Sequence, residues 1–370
     1  MSPTSTTEYL KLSLHHKTPF STPLKSLSSD IHHLSLLHQR RRLDHHRTFF
    51  KSPLISGASS GSGQYFVSLR LGSPPQTLLL VADTSSDLTW VTCSARKANC
   101  SSHKPGSTFL ARHSSTFSPS HCFSSLCQLV PQPDPNPCNH TRLHGPCRYE
   151  YVYSDGSKTS GFFSKETTTL NTSSGRAMKL RSLAFRFSSQ LGRLFCHSFS
   201  YCLMDYTFSP LPTSYLTIGD VVSLKKDNQS RISYTPLLTN PVALTFYYIA
   251  IKGVFNGVKL TVDPPVWLID ELGDKSTRSG FDLCVNVTGV SRPRLPRLNL
   301  ELGGASVFSP PRRNYFIEIR EGVRCLATLP ADSESGGFSV IGNLMQQGFL
   351  MEFDRGNSRI GFSRRGCALS

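Results

Sequence analysis

An alternating strand, a double-proline turn and an apolar run that ends on an acid constrain this chain more than any other stretch. Gln64-Tyr65-Phe66-Val67-Ser68-Leu69-Arg70-Leu71 alternates in the manner of a half-buried strand. Gly72-Ser73-Pro74-Pro75 is a turn. Thr77-Leu78-Leu79-Leu80-Val81-Ala82 then reads as a short buried strand that delivers Asp83. An acid at the end of an apolar strand is costly unless it is hydrogen-bonded or functional. Further strands are predicted at Cys147 to Tyr153, Phe246 to Gly253 and Phe338 to Ile341. Long 3.6-period runs are scarce, and 26 glycines and 24 prolines punctuate the chain. These features predict an all-β body. At 370 residues it has room for two domains.

Six of the eleven cysteines fall between Cys93 and Cys147, in a Ser/Pro/His-rich stretch with little apolar content. Such a segment cannot bury enough surface to fold alone, so disulfides are its natural staples. Cys122-x4-Cys127 and Cys138-x8-Cys147 are poor zinc spacings, and no metal site is expected. Five N-x-S/T sequons, at Asn99, Asn139, Asn171, Asn228 and Asn286, agree with an oxidising secretory route. No signal peptide is visible in residues 1–20, so a secreted protein would need one upstream of Met1. The net charge is +16. With no zinc-finger spacing, no helix-turn-helix pattern and no basic stripe interleaved with aromatics, this charge reads as a solvated basic surface. No stretch approaches the ~20 apolar residues of a spanning helix.

Residues 1–60 differ from the rest. They hold seven of the thirteen histidines and the run Arg40-Arg41-Arg42, and a Gly/Ser-rich joint runs from Ser56 to Gly63. The segment is either a removable or mobile leader, gaining charge on acidification, or a basic tail with no regulatory role.

The hairpin and the segments C-terminal to it resemble the pepsin-like aspartic proteases, in which an apolar strand leads into Asp-Thr-Gly-Ser and then a buried Trp. Here the run is Asp83-Thr84-Ser85-Ser86-Asp87-Leu88-Thr89-Trp90-Val91. Tyr151-Val152-Tyr153-Ser154-Asp155-Gly156-Ser157 is similar to the family's flap, a hairpin that closes over substrate. Val340-Ile341-Gly342-Asn343, Phe353-Asp354 and Ile360-Gly361-Phe362 match its closing strands. The cysteine-rich insert and Phe199-Ser200-Tyr201-Cys202 look like the plant nepenthesin-type branch, with xylanase-inhibitor-like lobes. The resemblance implies a bilobal, all-β, pepsin-like fold: an N-terminal lobe over residues 61–240 with the Cys-rich insert and flap, and a C-terminal lobe over 241–370. It implies no cofactor, a monomer, and a polypeptide substrate or protein ligand.

The chemistry needs two carboxylates sharing a proton and gripping one water. One serves as general base while the other protonates the substrate carbonyl. The resemblance makes Asp83 the first-lobe catalytic acid. Thr84 orients the loop across the lobe interface, Ser85 takes the family's usual glycine position, and Ser86 bonds the outer face of Asp83. Trp90 bonds the flap tyrosine Tyr153. Asp155, Gly156 and Ser157 contact substrate backbone. Ile341 and Gly342 form the second lobe's apolar-apolar-Gly support.

Three departures stand out. Ser85 puts a Cβ where the family's glycine lets backbone approach the acid. No Asp-Ser/Thr-Gly turn lies between Phe246 and Cys284, and Asp270 and Asp274 lack the required residues after them, so no second catalytic Asp is identified. Leu183-Ala184-Phe185-Arg186-Phe187 runs straight into Ser188, without the first lobe's own support motif. Both lobes read as truncated by internal deletions that expose sheet edges. The expected function is an aspartic-type endopeptidase working at acidic pH, with its second motif missing. The alternative is a non-catalytic pseudoprotease or inhibitor-like protein that binds peptide or protein in the cleft. A homodimer that pairs two Asp83 residues ranks lowest, because the retained second lobe obstructs it.

Overall fold

The computed structural model describes residues 50–56, 64–84, 88–93, 108–139, 145–152, 158–171, 177–184, 198–205, 213–219, 232–239, 247–255, 276–278, 281–328, 339–364 and 367. Among them the body is almost wholly β, as the composition leads one to expect. The three opening strands are β1 (Phe50–Ser56), β2 (Tyr65–Leu71) and β3 (Gln76–Val81). β2 keeps closely to its sequence pattern: Tyr65, Val67, Leu69 and Leu71 are buried and the residues between them are not. Gly72 turns the chain at φ 93°, where a Cβ would crowd Ser114 and Phe109.

One sheet of eleven described strands organises the molecule. Its main path runs Ala177–Ala184, Ser164–Asn171, β2, β1, Ser214–Ile218, Ser198–Cys202, Leu350–Asp354, Arg359–Ser363 and Ser233–Pro236. The chain's closing strands are thereby hydrogen-bonded to strands from residues 198–236. On this sheet rests one apolar cluster that includes Leu54, Tyr65, Val67 and Leu69 together with Leu283, Leu300, Phe308, Phe349 and Phe362. Two smaller sheets belong to the C-terminal half. One joins Ile251–Phe255, Asn299–Leu302 and Val307–Phe308; the other joins Ser276–Arg278, Phe281–Asn286, Val323–Leu326 and Phe316–Arg320.

The cysteine-rich stretch folds as a disulfide core. Cys122–Cys138 and Cys127–Cys147 close loops of 16 and 20 residues and are buried with Leu88, Val130, Tyr149 and Phe163. Loops of that size correspond to about 3 kcal/mol of stabilisation each. Cys202–Cys367 anchors the chain's last described residue to the main sheet, and Cys284–Cys325 staples two strands of the second small sheet. Among the described residues Cys93 is the cysteine outside a disulfide. Cys100 and Cys196 lie outside them.

Several sequence expectations are corrected. β3 is a strand but not a buried one: Leu78 is inside, while Leu79 and Val81 are each 43% exposed. Successive side chains point to opposite faces, so Leu78 packs inward while Leu79 and Val81 lie on the exposed face, and β3 pairs with β2 alone among the described strands. Ala82 donates its N–H to Tyr65 O, so by antiparallel alternation the backbone groups of Thr77, Leu79 and Val81 point away from β2. Phe338 lies outside the described residues, and residues 339–341 join no ladder among them; Gly342 then caps a one-turn helix, α1 (Asn343–Gln346). The strand predicted at Phe246 to Gly253 is shifted to Ile251–Phe255. The predicted strand from Cys147 is present as Arg148–Val152.

β1 falls within the 1–60 segment read as a leader, yet it is an interior strand. It pairs with Ser214–Ile218 along one edge and β2 along the other, and Leu54 is in the core. Removing it would open two strand edges in the main sheet. A chain beginning at Phe50 should therefore be more stable than one beginning at Gly61, which should lose its cooperative thermal transition or its solubility. Equal melting temperatures for the two truncations would refute an integral β1.

The closing hairpin supplies an acid-sensitive contact. Burial alone would raise the Asp354 carboxyl. Hydrogen bonds from the Asn357 side chain, Arg359 and the Asn357 N–H, with the Arg359 charge, outweigh burial and hold it below its ordinary 3.8. A depressed folded value gives stability that is full above 3.8 and is lost as pH falls through the lower folded value. Asp354→Asn should cost about 1–3 kcal/mol at neutral pH. In urea titrations that deficit should shrink below the ordinary aspartate value; a deficit unchanged down to strong acid would contradict this account.

Candidate functional site

Asp83 comes two residues after β3 ends and is half-buried. Ala82, the residue before it, is fixed by the bond to Tyr65 O at 2.8 Å and packs against the main apolar cluster. Thr84 is exposed, and Ser85 and Ser86 lie outside the described residues. The resemblance leads one to expect a buried Trp90, but Trp90 is 46% exposed. Leu88, two residues earlier, is buried in the disulfide core, and residues 88–91 belong to no strand, so strand alternation does not set the direction of Trp90.

The flap residues Tyr153, Asp155, Gly156 and Ser157 also lie outside the described residues, but the hairpin that would carry them is present. Arg148–Val152 and Lys158–Phe162 pair antiparallel, ending on Val152 opposite Lys158. Lys158 Nζ meets Glu150 Oε1 at 3.0 Å, and the Arg148 guanidinium sits 5.1 Å from the centre of the Phe162 ring. Gly161 has to be small, because a Cβ there would come within 3.0 Å of the Tyr149 ring.

The second-lobe support is a turn bolted to the main sheet. Ile341 packs against the same apolar cluster as Ala82. Gly342 is exposed, and no described heavy atom comes within 4 Å of where its Cβ would be. The turn's shape is held from behind. Tyr201 OH donates to Gln346 Oε1 at 2.5 Å, and Gln346 Nε2 donates to Ile341 O at 2.7 Å. Burial, with Tyr247 nearby, pushes the Tyr201 hydroxyl well above its ordinary range, against the opposing bond to Gln346, so it stays a donor. Asn314 Nδ2 donates to Met345 O and Gln347 O, and Gly348 N–H donates to Leu203 O at 2.7 Å. The Arg313–Asp205 ion pair, at 2.9 Å, lies beside this junction.

Tyr65 connects the two half-sites. Its carbonyl fixes Ala82, and its hydroxyl accepts from Gln347 Nε2 at 3.0 Å, across 282 residues of sequence. Tyr65, Tyr201, Gln346, Gln347 and Asn314 do not stand out in the sequence as site residues. The signal available is the polar pair Gln346-Gln347 inside the apolar run Leu344 to Leu350. Asp270 and Asp274 lie outside the described residues, and among those described no group of three or more His, Cys, Asp or Glu is placed to hold a metal.

A β body whose two halves share a sheet, with a hairpin-flanked acid at a strand end in one half and an apolar-apolar-Gly turn in the other, is the architecture of a two-lobed aspartic protease. The chain is 32% identical to Aspartyl protease family protein 2 of Arabidopsis thaliana, over 86% of this chain and 74% of that protein. It belongs to the plant pepsin-like aspartic protease family. Family profiles described as Xylanase inhibitor N-terminal and Xylanase inhibitor C-terminal match residues 65–188 and 268–364. Aspartic proteinase nepenthesin-1 of Nepenthes gracilis is 27% identical, with 89% of this chain and 84% of that protein covered. Among solved structures, edgp and soybean Basic 7S globulin share the fold, at 19% and 16% identity and TM-scores of 0.65 and 0.63. They cover 87% and 85% of this chain, and 96% and 95% of their own. The alignment to Aspartyl protease family protein 2 runs over 377 residues but draws on only 86% of this 370-residue chain, so that protein carries stretches with no counterpart here.

If Tyr65 is the bridge, Tyr65→Phe leaves the buried Gln347 amide without its acceptor. The expected loss is about 1–3 kcal/mol in denaturant unfolding. A change within ~0.5 kcal/mol, the range of an ordinary surface substitution, would mean the bridge carries nothing.

Proposed function

We propose that this chain is of the aspartic-type endopeptidase class and holds one half of that machinery. It binds extended polypeptide in the cleft at acidic pH and hydrolyses it poorly. The observation that carries this reading is Asp83, a half-buried acid at the end of an apolar run, with no Asp-Ser/Thr-Gly motif in the second lobe to pair with it. A single carboxylate can act as base on a water but cannot at the same moment protonate the carbonyl. An N-terminal profile match that stops at residue 188, the junction where the first lobe's support motif is missing, supports a loss of sequence there. Thr84, Ser85, Ser86 and Trp90 shape the loop around Asp83 in this reading. Tyr153, Asp155, Gly156 and Ser157 close over the peptide, and Ile341 and Gly342 supply the opposite wall. The disulfides and the plant aspartic protease relatives support an oxidising compartment or an extracellular location.

A second reading is favoured by the profile descriptions together with the missing acid: a non-catalytic protein that grips a glycan-degrading enzyme. One set of assays separates the two. Casein unfolded at about pH 3–5 should be cut on the order of 10²–10⁴-fold more slowly than by a paired-acid enzyme, with pepstatin still bound. Asp83→Ala should abolish the residual cutting and the pepstatin binding. Full-speed, pepstatin-sensitive turnover would sink the half-machinery reading. Inhibition of a xylanase with no affinity for peptide or pepstatin would favour the second.

A further inference from the structure

Asn286-Val287-Thr288 is the sequon for which both functional side chains are described. Asn286 is the last residue of the Phe281–Asn286 strand, opposite Val323. The chain then turns, with Val287 N–H donating to Gly322 O at 2.7 Å and Val290 N–H to Val287 O at 3.0 Å. Asn286 Oδ1 accepts two hydrogen bonds from Thr288, from its N–H at 3.0 Å and its hydroxyl at 2.7 Å. Both bonds are made to the amide oxygen and not to the Asn286 Nδ2. Asn286 is exposed and Thr288 is at the surface beside it.

Two glycines make room for this arrangement. Gly322 has φ +69°, and a Cβ there would lie 2.2 Å from the Thr288 hydroxyl. The threonine therefore sits against a backbone position that only glycine leaves open. Gly289, at φ +74°, is exposed and has no described heavy atom within 4 Å of its Cβ position. Val290 beside it is 53% exposed. The four disulfides require the same oxidising route on which sugar transfer takes place.

We propose that Asn286 carries an N-linked glycan. The Asn286 carboxamide nitrogen attacks the anomeric carbon of a polyprenyl-pyrophosphate-linked oligosaccharide. The bond from that carbon to the pyrophosphate oxygen breaks, the amide loses one proton, and the lipid pyrophosphate leaves. The Thr288 hydroxyl is the sequon's second required group. The attached sugar extends from a strand end into open space and covers the turn that carries Val290. This assignment stands apart from the proteolytic reading and holds whether or not the chain cuts peptides.

The test uses the full chain behind a secretory signal in plant cells, with peptide mass spectrometry after enzymatic glycan release in heavy-oxygen water. The peptide spanning residue 286 should arrive glycosylated and leave with a heavy-oxygen-labelled, deamidated position 286. Asn286→Gln and Thr288→Ala should each lose one glycan's mass, and Thr288→Ser should keep it. A wholly unmodified peptide in the secreted wild-type protein would overturn the proposal, whether or not other sequons are occupied. So would a glycan retained by Thr288→Ala.

Discussion

The ladder between Ser198–Cys202 and Leu350–Asp354 is the contact on which the rest of the molecule depends. It joins the end of the chain to its middle. Phe199 stacks on Phe353 across it, with ring centres 4.6 Å apart and planes within 3°, and Tyr247 closes the cluster edge-on. Cross-strand aromatic pairs of this kind add to the backbone bonds they flank. The other long-range features hang from this seam. β1 and β2 continue the sheet on one side, and Arg359–Ser363 and Ser233–Pro236 continue it on the other. The α1 turn is held by Tyr201, which belongs to the seam itself.

The same seam explains how half-sites so distant in sequence keep a fixed relation. Tyr65 and Tyr201 are both buried residues of the main sheet whose hydroxyls reach the turn after Gly342. Each bonds a glutamine amide, and that of Gln347 is buried, where an unsatisfied amide is expensive. The support turn is thus specified by polar contacts and not by its own short helix, since four residues are too few to hold a helical shape alone.

Much of the fold is legible from local pattern. β2 alternates in the structure as it does in sequence, the closing strands fall where Phe353-Asp354 and Ile360-Gly361-Phe362 indicate, and the hairpin flanking the flap forms. Asp83 stands out in the sequence because an acid at the end of an apolar run is conspicuous. What sequence does not supply is neighbourhood. Leu79 and Val81 look like core residues, but they share the face of β3 opposite to Leu78, which is left exposed. β1 looks like leader because its interior place comes from partners at positions 65–67 and 214–218, not from its own composition. Trp90 looks like core because large aromatics usually are, yet it is 46% exposed, in a stretch that belongs to no strand. Tyr65, Gln346 and Gln347 escape notice for a related reason, since each is an ordinary residue until its partner is known.

The side of β3 that pairs with no described strand has a consequence beyond this one site. From Gln76 to Ala82 there is no charge and no proline, and outward-facing amides alternate with aliphatic side chains. Natural edge strands are guarded by lysines, prolines or bulges, and this one has none. Newly made chains emerging together would meet along this strip before any groove finished forming, and holding chaperones grip segments of the same character. The amount of dispersed protein a cell can keep is then governed by synthesis rate and chaperone supply, while the well-packed interior sets only how long each properly folded copy lasts.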